Sequence, residues 1–90
     1  MALFLISYDL HKQRNYDSLL EQLRSWGCTR ALASMWLGNL NGNAAQVRDV
    51  LRSTVDDDDS IVVVELKPGS QWSTWTANQA ADWFRANMTP

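Results

Sequence analysis

Asp9 is the residue of this 90-residue chain best placed to do chemistry. It closes the apolar run Ala2–Tyr8, a short stretch rich in Leu, Phe and Ile that reads as a buried strand. A carboxylate at a strand end is anchored by a rigid sheet, while its head faces the loops. Mg²⁺ is commonly held by one or two such carboxylates, with water and substrate phosphate completing the shell. The competing reading is an aspartate that caps the following loop and binds nothing. Residue type alone does not separate the two.

The neighbours of Asp9 carry compatible chemistry. His11, the sole histidine, follows it in a polar loop and could act as a general acid or base beside a phosphodiester; an exposed loop histidine with no such role is the plainer reading. Lys12 and Arg14 form a small basic cluster just beyond, a placement that suits phosphate. Arg30 could grip a phosphate bidentately or be a solvated strand-edge arginine. Ser34 could hydrogen-bond near a metal or simply mark a kink. Trp36, in an alternating segment, reads first as core and second as a base-stacking platform.

Other clusters invite less. Asp56–Asp59 lacks the alternating ligands and central glycine of an EF-hand loop, so a solvated acidic turn that discourages edge pairing is expected. The single cysteine, Cys28, excludes an intrachain disulfide and a multi-cysteine zinc site, and reads as a small buried residue opening a strand. There is no Ser–His–Asp order, phosphate-cradling glycine loop or dinucleotide fingerprint.

The elements that must position these residues follow from pattern. After the first strand, Asn15 can cap a helix in which Tyr16, Leu19, Leu20, Leu23 and Trp26 recur at helical spacing, and Gly27 stands where a left-handed helix end belongs. Thr29–Leu40 is extended and long enough for two strands kinked near Ala33-Ser34. A second helix carries Ala44, Val47, Val50, Leu51 and Val55 on one face. The β-branched run Ile61–Val64 predicts a central strand covered on both faces, or one paired into an interface. Pro68-Gly69 is a turn, Gln71–Trp75 a short edge strand, and Ala77–Met88 a helix with Ala77, Ala80, Ala81, Phe84 and Met88 on one stripe. The order predicts an α+β, ferredoxin-like βαββαβ antiparallel sheet with two helices on one face. A single domain over residues 1–90 is expected, with a core over 1–67 and a C-terminal strand and helix tail over 68–90. A tail this rich in tryptophan (Trp72, Trp75, Trp83) needs a core or an interface to dock on.

With 46% hydrophobic and 20% charged residues the chain is globular rather than disordered. A formal net charge of −2 argues mildly against a nonspecific, high-affinity DNA binder, but leaves room for a nuclease that needs only a local cluster and a metal. The apolar start is too short for a signal peptide and lacks a basic leader, so a cytoplasmic location is expected, without membrane contact.

Three stretches together resemble a known family. Ser7-Tyr8-Asp9-Leu10 resembles the strand-ending Tyr-Asp-Ile of the CRISPR-associated Cas-two proteins, small dimeric subunits of the spacer-acquisition machinery. Gly27-Cys28-Thr29-Arg30, followed by Ser34-Met35-Trp36-Leu37-Gly38-Asn39-Leu40, is similar to that family's Gly-x-x-Arg and Ser-Val-Phe-x-Gly-x-Leu. Asp59-Ser60 before a β-branched strand also fits. The likeness spans about residues 2–67. The tail from Trp72 to Trp83 looks more like orphan relatives labelled SinR family, and virulence-associated protein D is a further relative of the fold.

The resemblance implies a homodimer in which the aspartates ending the two first strands face each other across the two-fold axis. In several members that pair is thought to hold a divalent metal, Mg²⁺ or Mn²⁺, for phosphodiester cleavage of RNA or DNA, whereas other members act as scaffolds. Carried over, the implied site is Asp9 as metal ligand, with Tyr8, Arg30, Ser34 and Trp36 around it. The expected function is therefore a metal-dependent endonuclease (endoribonuclease); the alternative is a non-catalytic scaffold or toxin–antitoxin-type regulator that uses the same fold for protein or nucleic-acid binding.

Overall fold

Alternation along the first strand dictates a sheet with two apolar faces, and a computed structural model describing residues 1–11 and 16–89 has that form. The elements run β1 (Ala2–Asp9), α1 (Asp17–Ser25), β2 (Thr29–Leu32), β3 (Met35–Leu40), α2 (Ala44–Arg52), β4 (Ser60–Leu66) and α3 (Asn78–Asn87). The four strands form one antiparallel sheet in the order β2-β3-β1-β4. The architecture is therefore α+β, with three helices.

The even residues of β1, Phe4, Ile6 and Tyr8, join Trp36 and Leu40 on one face of the sheet. Leu19 and Leu23 of α1 and Val47 and Leu51 of α2 pack there too. On the other face Leu3 and Leu37 pack with Ala80, Phe84 and Met88 of α3. Helix α2 begins with a reciprocal capping box: Asn43 accepts from the Gln46 amide, and the Gln46 side chain accepts from the Asn43 amide. Gly27 ends α1 at φ +74, with its N–H on the Arg24 carbonyl, the left-handed position that favours glycine. Asn15, the expected cap of α1, lies outside the described residues.

The strand pair kinks where the sequence indicates, between β2 and β3 at Ala33-Ser34. Gly38, within β3, is needed for a different reason from Gly27. A Cβ at this position would lie 2.6 Å from Cys28 Sγ, so only glycine lets that thiol sit against β3.

Three expectations need correction. The run Ile61–Val64 is not central: β4 is an edge strand, and Val62 and Val64 are exposed on one face. A continuous β-branched run reports two apolar faces without saying whether both are covered. Gln71–Trp75 forms no strand; Trp72 instead stacks on Phe84, with ring centroids 5.0 Å apart, and Trp83 meets Phe84 edge-on at 5.5 Å. The tail is thus docked on the sheet through Trp72 and α3, but Trp75 is 88% exposed. Val50, expected on the buried face of α2, is also exposed, and Leu51 takes the inward position.

Candidate functional site

Strand β1 lies between β3 and β4, so its C-terminal end is fixed from both sides. Ser7 is in register with Met35 on one side, and Asp9 with Ser60 on the other. The Tyr8 N–H reaches the Ser34 carbonyl at 3.1 Å. Residues distant in sequence meet at this end and line an open cleft of about 280 Å³: Tyr8, Asp9, Leu10, Tyr16, Leu20, Arg30, Ala33 and Ser34.

Asp9 is exposed. Among the described residues no hydrogen bond or ion pair engages its carboxylate, so the loop-cap reading has no bond to support it. The carboxylate is free to take a cation or an N–H donor. Arg30 is held differently. Its Nε and Nη2 donate to the Ala33 carbonyl at 3.2 and 2.7 Å, and its guanidinium lies 5.5 Å from the Trp36 ring centroid. Three of its five N–H groups stay uncommitted.

Beneath Arg30 the aromatic pair is closed. The Trp36 indole N–H donates to the Tyr8 hydroxyl at 3.1 Å, and that hydroxyl donates to the same Ala33 carbonyl at 3.4 Å. The Ala33 carbonyl is thus a hub that orients both Arg30 and Tyr8. Trp36 is 3% exposed, so the core reading holds and its ring is not open to a stacking base. Tyr8, 9% exposed, lines the cleft with a hydroxyl already bonded to Trp36 and Ala33, which makes it a support for Arg30.

Ser34 is exposed on the rim. His11 is exposed and outside the set of cleft-lining residues; its backbone N–H donates to Asp59 Oδ1 at 2.9 Å. Lys12 and Arg14 lie outside the described residues. Sequence reasoning missed Tyr16 and Leu20 as cleft walls, although their place at the N-cap and in the first turn of α1, close in sequence to Asp9, was the available signal.

Two other groups carry chemistry-bearing side chains. Asp56, Asp58 and Asp59 bring their carboxylates within 4.8 Å of one another, but the turn is not merely solvated. Both Asp59 oxygens accept backbone amides, from His11 and from Asp56, each at 2.9 Å. Cys28 is half-buried and free, and burial pushes its thiol up to about 11. At neutral pH it is therefore protonated, a poor nucleophile and a poor metal ligand.

The sequence model of the family described as CRISPR associated protein Cas2 matches residues 1–74. The chain belongs to the Cas2 family. The match takes in Asp9, Arg30, Ser34 and Trp36 and runs past β4 to include Trp72 of the tail. No helix among the described residues is long and apolar enough to cross a membrane.

Proposed function

We propose that this Cas2-family protein is a homodimeric, divalent-metal-dependent endonuclease of RNA or DNA, built on a ferredoxin-like sheet. The observation that carries the reading is Asp9: an exposed carboxylate, without a partner among the described residues, in a cleft it shares with Arg30. The donor set suits a hard cation, since Mg²⁺ takes few protein carboxylates and keeps room for water and phosphate. Asp9 of each protomer would hold Mg²⁺ or Mn²⁺, which when bound polarises the phosphodiester and makes water nucleophilic at neutral pH. Arg30, oriented by the Ala33 carbonyl, uses its remaining N–H groups on a phosphate oxygen. Ser34 adds a hydroxyl at the rim, His11 is the general acid or base nearest in sequence, and Lys12 and Arg14, next along the chain, add positive charge suited to phosphate.

The element order and the strand order β2-β3-β1-β4 support the ferredoxin-like assignment. Dimerisation is supported by the sheet's second face. There Leu32, Val62, Val64 and Trp75 are exposed large hydrophobics that α3 leaves uncovered. Strand alternation puts Asp9 on that same face, with Leu3, Leu5 and Ser7. A copy covering the patch therefore brings a second Asp9 toward the first.

The net charge of −2 favours a second reading, a non-catalytic dimeric scaffold or toxin–antitoxin-type regulator that contacts protein through the same patch. Incubating the full chain with RNA and DNA in Mg²⁺, Mn²⁺ or chelator separates the two. The nuclease reading expects metal-dependent cleavage that Asp9→Asn abolishes. An intact dimer that cleaves neither substrate under any metal selects the scaffold.

A further inference from the structure

We propose that Asp59 is a positioning residue for Asp9, holding the chain that leaves β1 at a fixed angle over the cleft. This inference rests on the nuclease reading for its functional consequence, and on three bonds for its geometry. Asp9 is in register with Ser60, so Asp59 stands one step beyond the last ladder pair. Its Oδ1 accepts the His11 N–H, and its Oδ2 accepts the Asp56 N–H, each at 2.9 Å. The Asp59 N–H returns to the Asp56 carbonyl at 3.1 Å, which stiffens the turn that carries the carboxylate.

The bond to His11 joins residues 48 apart in sequence. It pins the backbone two residues after Asp9, while the β4 ladder pins it at Asp9 itself. Leu10, caught between these two fixings, lines the cleft. A carboxylate is required because both oxygens must accept. An asparagine offers one acceptor and turns an NH₂ group toward the second amide, so one of the two bonds is lost. Groups that orient a metal ligand without touching the ion commonly change affinity by about 10–100-fold.

The test compares the full-length wild type with Asp59→Asn and Asp59→Ala. Amide hydrogen exchange is read at His11 and Asp56, and Mn²⁺ affinity is read from paramagnetic broadening of the Asp9 amide. Positioning predicts faster exchange at His11 and Mn²⁺ affinity weakened about 10-fold in Asp59→Ala, which keeps neither acceptor. A role confined to the acidic turn would speed exchange at Asp56 alone, and that result overturns the proposal. Unchanged Mn²⁺ affinity despite faster His11 exchange also overturns it. Should Asp59→Ala not fold, Asp59→Asn decides by the amide it releases: weaker Mn²⁺ binding must accompany faster exchange at His11, and weaker binding with His11 still protected overturns the proposal. If wild type binds no Mn²⁺ near Asp9, the nuclease reading fails on its own. The clamp is then judged by the Asp9 and Leu10 amide shifts, which move in Asp59→Asn if Asp59 positions them and stay fixed if it does not.

Discussion

Toward α1 and α2 the sheet presents Phe4 and Ile6, fully buried against Leu19, Leu23 and Leu51. On the opposite face α3 covers Leu3 and Leu37 but leaves Val62 at 57% exposure and Val64 at 46%. Both faces are apolar by sequence, yet only one is finished within the chain. An exposed apolar patch beside a polar cleft marks an interaction surface more often than a packing failure. The two faces divide the labour at the strand ends: the closed face holds the fold and carries Arg30 over Trp36, and the half-open face, on which strand alternation puts Asp9, leaves an apolar patch uncovered.

The largest effect should come from the closed face. Phe4→Ala removes a fully buried ring and should cost about 3–5 kcal/mol, a large share of a typical total of roughly 5–15 kcal/mol. Denaturant unfolding checks it. A loss below about 1 kcal/mol would mean the closed face is not the main source of stability.

The half-open face should respond in assembly rather than in folding. Val62→Lys with Val64→Lys should convert a dimer to monomers by light scattering. Because both side chains are exposed in the protomer, the stability of the separated chain should change by only about 0.5 kcal/mol per site. A double variant that stays dimeric would remove this face from the interface and, with it, the support for two converging Asp9 residues.

What the sequence revealed divides along the same line. Local pattern was enough for the kink at Ala33-Ser34, the left-handed Gly27 and the inward stripe of α3, because each depends on residues within a turn or two. It was not enough to make β4 an edge or to leave Gln71–Trp75 unpaired, since strand neighbours are set by the whole topology. The site shows the same limit. Asp9 stood out by type and place, Arg30 and Ser34 came in only through the family resemblance, and the three do line one cleft. The Ala33 carbonyl as the hub for Arg30 and Tyr8, and Asp59 as a clamp on His11, were hidden because a backbone acceptor has no sequence signature and the clamp bridges distant strand ends.

Whether Asp9 is kept free to hold a cation is decided by thermal melting of wild type and Asp9→Asn, with Mn²⁺ and with chelator. A cation bound by the native protein and not by unfolded chain stabilises it by RT ln(1 + [cation]/Kd), so the melting temperature rises with the logarithm of its concentration once that exceeds Kd. Mn²⁺ should stabilise wild type and leave Asp9→Asn unmoved. In chelator Asp9→Asn should melt at the same temperature or slightly higher, since two facing carboxylates repel without a cation between them. Wild type indifferent to Mn²⁺, together with Asp9→Asn melting lower in chelator, would contradict the account and make Asp9 a structural anchor.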